Sequence, residues 1–183
     1  MQYTPQPPHG QPVQSDPYFT LMADADGVGF IHCGDAVVVV PLTASGDVLL
    51  AVERSPAMDR EILTLVSGSI EAGESLEEAA NRELQEELGW RAGRLDYLGE
   101  LHPFKYLATR QFAFLARDLT PSKLAGDETH AITERRVSLN DFTDLCQAGE
   151  LQDANAIAAL CLARDYLTRS DRHDGQKGNA SSQ

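Results

Sequence analysis

Three glutamates near the middle of the chain have the residue type and the spacing of a metal site. Glu83, Glu86 and Glu87 lie within the stretch Gly68–Trp90, which reads GSIEAGESLEEAANRELQEELGW. On a helix, side chains three and four positions apart are neighbours, and like charges there cost about 0.2–0.5 kcal/mol per pair. A divalent cation such as Mg²⁺ relieves that repulsion because it takes oxygen ligands, and it commonly bridges carboxylates to substrate phosphates. We therefore expect a metal site on this face of the helix.

The element that must present these glutamates is a helix with clear ends. Ser75 is a preferred N-cap residue, and Glu78, three positions later, completes a capping box. Gly89 stands where a helix ends in the left-handed conformation. These signals predict a helix from about Leu76 to Leu88. A solvated, glutamate-rich helix would show the same three acids, so their spacing alone does not decide for a metal.

The loop ahead of the helix carries residues that could support such a site. Glu74 and Arg82 are oppositely charged, and an ion pair between them would hold the loop against the helix. Gly68 and Gly73 allow the loop to pass close to a metal, because glycine has no side chain. A backbone carbonyl of this loop is then a candidate ligand.

The composition of the chain limits the partners that it can bind. With 183 residues, the chain is long enough for one domain with a sizeable core. Its formal net charge of −13 repels the phosphates of nucleic acids and membranes, so we expect neither as a partner. A phosphorylated substrate would be repelled as well unless a cation is recruited locally.

The N-terminal sequence and the cysteines predict a cytoplasmic protein. The first residues contain prolines where a signal peptide needs an apolar run, and no apolar run approaches the roughly 18 residues of a membrane span. Cys33, Cys146 and Cys161 show no metal-type spacing, which indicates free thiols in a reducing compartment.

The remaining pattern predicts a mixed α/β or α+β sandwich. Turn residues at 24–27 join Tyr18–Ala23 to Val28–Cys33 as an N-terminal β-hairpin. Ala36–Leu42 is a run of β-branched residues, which is typical of a strand buried on both faces. Further strands are predicted at Val48–Glu53, Ile62–Ser67, Leu95–His102, Arg110–Arg117 and Arg135–Leu139. Further helices are predicted from Asn140 or Asp141 to Ala148 and from Asp153 to Thr168.

The ends of the chain are predicted to lie outside the folded domain. Residues 1–17 are rich in proline and polar residues, and we expect them to form a flexible arm. Residues 170–183 are low in apolar residues, and we expect a disordered tail there. The predicted domain therefore covers residues 18–169.

The ordered string around the three glutamates is more specific than the acids themselves. It reads Gly68, five residues, Glu74, seven residues, and then Arg82-Glu83-Leu84-x-Glu86-Glu87-x-Gly89-Trp90. Because this string matches the Nudix box at every defined position, the chain resembles the Nudix hydrolases. These are metal-dependent enzymes that cleave nucleoside diphosphates linked to another group. The resemblance implies an α/β/α sandwich with a mixed central sheet.

The resemblance also implies roles for the residues of the box. Glu86 and Glu87 would act in catalysis, and Trp90 would end the box as a core residue. Mg²⁺ would be the cofactor, with Mn²⁺ as an alternative. The implied metal ligands are the carbonyl of Gly68 and the carboxylates of Glu83, Glu86 and Glu87, and the implied structural supports are Glu74 and Arg82.

Outside the box, the chain looks like the branch of ADP-ribose pyrophosphatases and ADP-compounds hydrolases. This likeness covers about residues 18–168. In that branch an N-terminal antiparallel sheet helps to build a homodimer, and residues from both subunits often line the pocket. The hairpin of residues 18–33 would be that element here.

Two departures weaken the likeness to a strict ADP-ribose enzyme. Many such enzymes carry Glu-x-Pro just before the box, where this chain has the segment 64–66, Thr-Leu-Val. They also place a proline about 15 or 16 residues after the box, whereas Pro103 comes 13 residues after Trp90. Tyr106 stands 16 residues after Trp90, where diadenosine polyphosphate hydrolases often have a tyrosine.

The general base is left open by the sequence. Relatives in this branch often use a glutamate on a loop between the last strands, and Glu128 is our choice on that resemblance. Asp127, His130 and Glu134 are the alternatives, His130 because a histidine titrates near neutral pH.

The substrate contacts are also left open. Arg54 resembles a phosphate-binding arginine of the branch, and a surface arginine at a strand end is the alternative. Phe104 and Tyr106 could stack on a nucleobase, since any base offers a π-face. Ordinary packing of both rings is the alternative.

The resemblance thus implies a Mg²⁺-dependent pyrophosphatase for ADP-ribose or a related nucleoside diphosphate compound. The products would be a nucleoside monophosphate and a phosphorylated remainder. The alternative within the enzymes is a diadenosine polyphosphate or other nucleotide hydrolase, as Tyr106 suggests. A non-catalytic nucleotide-sugar sensor is disfavoured, because such proteins usually show a broken box and this one retains every carboxylate.

Overall fold

The computed structural model describes residues 2–6, 9–126 and 131–179, with side chains described up to residue 170. The strands are β1 (Gln11–Ser15), β2 (Thr20–Ala23), β3 (Gly29–His32), β4 (Ala36–Pro41), β5 (Asp47–Ser55), β6 (Arg60–Thr64), β7 (Val66–Ser69), β8 (Trp90–Leu101), β9 (Leu107–Ala108), β10 (Gln111–Pro121) and β11 (Thr133–Ser138). The helices are α1 (Leu76–Glu87), α2 (Phe142–Gln147) and α3 (Ala154–Asn179).

The centre of the fold is a mixed sheet with the strand order β7-β4-β10-β8. Strand β4 runs parallel to β10 and antiparallel to β7, and β8 runs antiparallel to β10. The valines of β4 alternate between two cores: Val37 and Val39 pack with α1, whereas Val38 and Val40 pack with α3. This double burial explains the run of β-branched residues. The predicted α/β/α arrangement with a mixed sheet is confirmed.

A second sheet completes the core on the α3 side. It has the order β11-β5-β6 and is antiparallel throughout. Leu50 of β5 is buried in the same cluster as Phe142 of α2 and Leu160 of α3. The segment predicted as one strand at Ile62–Ser67 is in fact β6 and β7, which belong to different sheets. The buried Leu65 lies between them.

The N-terminal residues build a third sheet with the order β1-β2-β3-β9. The predicted hairpin is present, since β2 and β3 pair in antiparallel fashion. Residues 1–17 differ from the expected flexible arm, because β1 lies within them and pairs with β2. All five side chains of β1 are exposed, so hydrophobic patterning could not reveal this strand. Likewise β9 was not predicted, because only two residues join it to β3.

The predicted C-terminal tail also differs from the structure. Helix α3 continues to Asn179, past the end expected near Thr168. Between Thr168 and Gly175 the sequence contains neither glycine nor proline to break the helix. The limits of the functional domain, residues 18–169, stay a prediction. Across the described residues, no helix is both long and apolar enough to span a bilayer.

Candidate active site

Helix α1 forms as the sequence predicts, and its start is fixed by a reciprocal cap. The hydroxyl of Ser75 accepts a hydrogen bond from the backbone N–H of Glu78, and the Glu78 carboxylate accepts from the N–H of Ser75. Gly89 follows the helix with φ at 74°, the left-handed conformation expected there. Leu76, Ala80 and Leu84 are buried against the central sheet. The carboxylates therefore project from a helix that is fixed by its N-terminal cap and by the packing of its apolar face.

Gly68 brings strand β7 against one of these carboxylates. A Cβ atom added at Gly68 would lie 2.0 Å from both Cδ and Oε1 of Glu83. Such a distance is far inside van der Waals contact, so any larger residue at this position requires the Glu83 carboxylate or strand β7 to move. Glu83 is only 8% exposed and Glu87 only 6%. The backbone of β7 and two of the box carboxylates thus meet in a sheltered position.

Arg82 ties the loop ahead of the helix to the helix itself. Its guanidinium donates to both carboxylate oxygens of Glu74 at 2.9 and 3.0 Å and to the carbonyl of Ser69 at 2.8 Å. Burial alone would raise the pKa of Glu74, but the hydrogen bonds from Arg82 outweigh it, and the pKa lies below its ordinary value. The contact expected between Glu74 and Arg82 is therefore present.

The same guanidinium also reaches the box carboxylates. Nη1 of Arg82 lies 2.7 Å from Oε1 of Glu83 and 3.1 Å from Oε2 of Glu86. These hydrogen bonds, led by those to Glu74, raise the pKa of Arg82 above its already high value. Glu87 is oriented separately, because its Oε1 accepts a hydrogen bond from the backbone N–H of Ser67 at 3.2 Å.

The donor set fits a hard divalent cation. Glu83, Glu86 and Glu87 offer oxygen atoms, which Mg²⁺ and Mn²⁺ prefer. Glu83 lies against Gly68, and Glu87 is bonded to the backbone of Ser67 next to it. In the part of the chain that the structure describes, no three Asp, Glu, His or Cys side chains are already gathered around one point. A cation binding here would compete with Arg82 for the oxygens of Glu83 and Glu86.

A cleft of about 510 Å³ is lined by Gly68, Glu83 and Glu86. Tyr18, which the sequence analysis did not assign to the site, lies on its rim and is 81% exposed. Asp16 presents this ring, because its Oδ1 accepts hydrogen bonds from the N–H groups of Tyr18 and Phe19 at 2.7 and 2.9 Å. Ala125 and Gly126, which follow β10, also line this cleft.

A larger cleft lies along the start of α1, away from the three box glutamates. Its volume is about 670 Å³, and its lining includes Glu71, Glu77 and Arg91 but none of the three box glutamates that would hold a metal. Size alone therefore does not identify the site, whereas the position of the carboxylates does.

Arg54 does not line the cleft beside the box within its own chain. It stands near the end of β5 and forms an ion pair with Asp59 in the turn before β6. Both side chains are exposed, and Asp59 has a positive φ of 52°. This geometry matches the surface arginine that the sequence left open as an alternative.

Phe104 and Tyr106 also lie away from that cleft, next to the N-terminal sheet. Their ring centroids are 5.6 Å apart in an edge-to-face arrangement, and the rings are 60% and 43% exposed. The carbonyl of Tyr106 accepts a hydrogen bond from the N–H of Ile31 in β3 at 2.9 Å. The two rings thus form an exposed aromatic pair rather than ordinary core packing.

The candidates for the general base divide into two groups. Glu128, Asp127 and His130 lie outside the described residues. Glu134 accepts hydrogen bonds from Nε1 of Trp90 at 2.8 Å and from Nε of Arg136 at 2.6 Å, and it does not line the cleft. Glu134 is thereby engaged at the far end of the box. Trp90 packs partly against the core as expected, with an additional hydrogen bond that the sequence did not predict.

Comparison with known proteins agrees with this geometry. The NUDIX domain family model matches residues 34–160 of the chain. The chain therefore belongs to the Nudix family, and the hydrolase assignment made from the box is confirmed. Nudix hydrolases generally need a divalent metal, which is what the carboxylates of α1 could hold.

Individual relatives narrow the likeness further. The chain is 33% identical to the ADP compounds hydrolase NudE of Escherichia coli (strain K12) over 139 residues, covering 75% of this chain and 74% of that protein. It is 28% identical to the ADP-ribose pyrophosphatase of Bacillus subtilis (strain 168) over 145 residues, covering 78% and 76%. A crystal structure of an ADP compounds hydrolase superposes with a TM-score of 0.75 at 28% identity, covering 94% of this chain and 98% of that one.

Proposed function

We propose that the protein is a Mg²⁺-dependent pyrophosphatase that hydrolyses ADP-ribose or a related ADP compound. The products are AMP and a phosphorylated remainder. The observation that carries this proposal is the meeting of Gly68, Glu83 and Glu86 at one cleft, with Glu87 bonded to the backbone of the neighbouring Ser67. The similarity to an ADP compounds hydrolase and to an ADP-ribose pyrophosphatase over three quarters of the chain supports the substrate class.

The residues of the box divide the work of the reaction. When bound, the divalent ion neutralises diphosphate charge and lowers the pKa of water. Glu83, Glu86 and Glu87 would hold the ion, with the carbonyl of Gly68 as a further ligand. Arg82 and Glu74 keep the loop and the helix in register. The positive charge of the bound ion would locally offset the formal net charge of −13, which would otherwise repel the substrate.

Glu128, two residues after Gly126 in the sequence, is the proposed general base that takes a proton from the attacking water. This choice rests on the resemblance to the branch. Its alternative Glu134 is weakened, because Trp90 and Arg136 engage both of its oxygens.

We further propose that the enzyme works as a homodimer built on the N-terminal sheet. Leu21 and Ile31 pair across β2 and β3 and are 39% and 38% exposed, whereas Met22 and Phe30 on the other face are buried. A second copy covering the exposed face would remove apolar surface from water. Arg54, Phe104 and Tyr106 do not line the cleft of their own chain, and in a dimer they would be available to the cleft of the second copy.

The proposed compartment is the cytoplasm. Cys33, Cys146 and Cys161 are all free thiols. This state is the expected one in a reducing compartment.

A substrate panel tests the proposed activity. ADP-ribose, other ADP-linked compounds, nucleoside diphosphate sugars and diadenosine polyphosphates are incubated with the enzyme and Mg²⁺ or Mn²⁺, with and without alkaline phosphatase. Alkaline phosphatase releases phosphate only from phosphomonoesters. An ADP-linked compound that has no phosphomonoester gives no phosphate while it is intact, so phosphate release reports its cleavage. We expect the fastest release from ADP-ribose or another ADP compound.

The same panel separates the alternatives. Preference for diadenosine polyphosphates would replace the proposed substrate class and would give Tyr106 the role that its position suggested. Absence of turnover of every compound with either ion would contradict the assignment as an enzyme of this class.

A further inference from the structure

The last turn of α1 has a particular structural difficulty. It carries Glu86 and Glu87, two of the three proposed metal ligands. The last four carbonyl groups of a helix have no partner within the helix, and a helix end frays when these groups are left to water. The last turn of α1 also contains no basic residue to offset the negative end of the helix dipole. Ligands on such a turn need support from outside the helix.

That support comes from the segment that leaves β10. Nζ of Lys123 donates to the backbone carbonyl of Glu86 and, at 3.2 Å, to the carbonyl of Glu87. The N–H of Leu124 donates to the carbonyl of Gln85 at 3.2 Å. Three consecutive carbonyls at the end of the helix are thus bonded by two consecutive residues of one segment.

Two further contacts fix this segment beside the helix. The N–H of Ser122 donates to the carbonyl of Gly89 at 2.8 Å, and the Ser122 hydroxyl accepts from Nε2 of Gln85 at 2.8 Å. A Cβ added at Gly89 would lie 3.3 Å from Cδ of Lys123, so the lysine stem lies over the glycine of the box. The segment then continues to Ala125 and Gly126, which line the catalytic cleft.

We propose that Lys123 is a positioning residue for the metal site. It caps the last turn of α1 from outside the helix and so fixes the carboxylates of Glu86 and Glu87, without itself touching the metal or the substrate. This inference rests on the proposed function, since it takes these two glutamates to be metal ligands. It assigns a task to one of the three lysines of a strongly acidic chain.

The positive charge of Lys123, taken alone, would affect metal affinity in the direction opposite to its cap. An ammonium group near a bound divalent cation repels it, so removal of the charge would tighten metal binding. Loss of the cap would instead loosen the last turn and weaken binding, because ligands must be held to within about 0.5 Å of their working geometry. The two effects have opposite signs, and a metal titration therefore separates them.

The test measures Mn²⁺ binding to the substrate-free full chain by the paramagnetic resonance signal of the free ion. For Lys123→Met we expect about tenfold weaker binding, at the lower end of what the loss of an outer-shell partner costs. Lys123→Arg keeps the charge and the donors and should restore binding to near the wild-type value. Arg169→Met is the matched control, because Arg169 pairs with Asp165 on the surface of α3 and its loss changes the net charge equally.

Hydrogen exchange gives a second readout that does not depend on a metal. In the metal-free protein, the amides of residues 86–89 should exchange faster in Lys123→Met than in Arg169→Met. Unchanged or tighter Mn²⁺ binding by Lys123→Met, with exchange unchanged at residues 86–89, would overturn the inference. Two other results would contradict the proposed function itself. One is a wild-type chain that binds no Mn²⁺, and the other is a Glu86→Gln variant that binds Mn²⁺ as tightly as the wild type.

Discussion

The lack of a side chain at Gly68 allows β7 to pass close to Glu83. The strand that carries Gly68 approaches Glu83 so closely that a methyl group would overlap the carboxylate. The position therefore links the backbone of β7 to the geometry of a proposed ligand, and a substitution there tests the close approach directly.

Gly68→Ala should reduce activity strongly, because either Glu83 or β7 must move. A misplacement of about 1 Å can cost about a hundredfold in rate, and overpacking costs about 1–3 kcal/mol of stability. Steady-state kinetics with Mg²⁺ and thermal unfolding measure the two effects. Gly34→Ala is the control, since an added Cβ there has nothing within 4 Å. Wild-type kinetics in Gly68→Ala would show that the approach does not matter.

Residues with local partners were the ones that the sequence could place. Ser75 and Glu78 cap the helix three positions apart, and the glutamates of the box share one face of it. Tyr18 and Lys123 escaped detection because they meet α1 only through the packing of distant segments. No spacing rule along the chain reports such contacts.

At the scale of elements, the loop between β7 and α1 is held by charge rather than by apolar packing. The side chain of Glu74 is 13% exposed and binds Arg82 through both oxygens. Because the pKa of Glu74 is lowered in the folded state, this contact stabilises the fold above the ordinary glutamate pKa of about 4.3. The stabilisation is lost as the pH falls from about 5 through the lowered pKa of the folded state.

Glu74→Gln should therefore lower the free energy of unfolding at pH 7 by about 2 kcal/mol, as expected for a charged hydrogen-bonded pair. The difference from the wild type should shrink as the pH falls below 4, where the wild-type carboxylate also becomes neutral. Urea unfolding at pH 7, 5 and 3 measures it. Glu150→Gln, in an exposed pair with Arg135, is the control and should change little. A difference in the free energy of unfolding between wild type and Glu74→Gln that stays constant with pH would contradict the stabilising role of the Glu74 carboxylate.

The elements themselves were predictable where burial imposed a pattern. The valine run of β4 and the capped helix α1 were found because each has a strong local signal. Strands β1 and β9 were missed because backbone pairing alone defines them, with side chains that are not fully buried. The division of residues 60–69 between two sheets depends on tertiary contacts, which the sequence does not show.

At the scale of the molecule, the N-terminal sheet leaves Leu21 and Ile31 of one face more than a third exposed. The core and the helix that carries the proposed metal ligands lie within one chain, whereas the candidate substrate residues Arg54, Phe104 and Tyr106 lie elsewhere on its surface. A dimer would explain both the apolar face and the position of these residues.

Leu21→Glu combined with Ile31→Glu should convert the proposed dimer to a monomer, because two charges would be buried at the interface. Sedimentation equilibrium measures the mass. Cys161→Glu is the control, since the Cys161 side chain is exposed on α3. A wild-type chain that sediments as a monomer, or a double variant that remains a dimer, would contradict the proposed interface.

The central claim is that a divalent metal held by the box carboxylates drives the hydrolysis. Its most direct test is the rate of phosphate release from ADP-ribose, in the coupled phosphatase assay, for the wild type, Glu86→Gln and Glu87→Gln. Both variants should retain the fold by circular dichroism and lose at least about a hundredfold in rate, and the wild type should lose activity when the metal is chelated. Wild-type rates in either variant, or undiminished turnover without a divalent metal, would contradict the account.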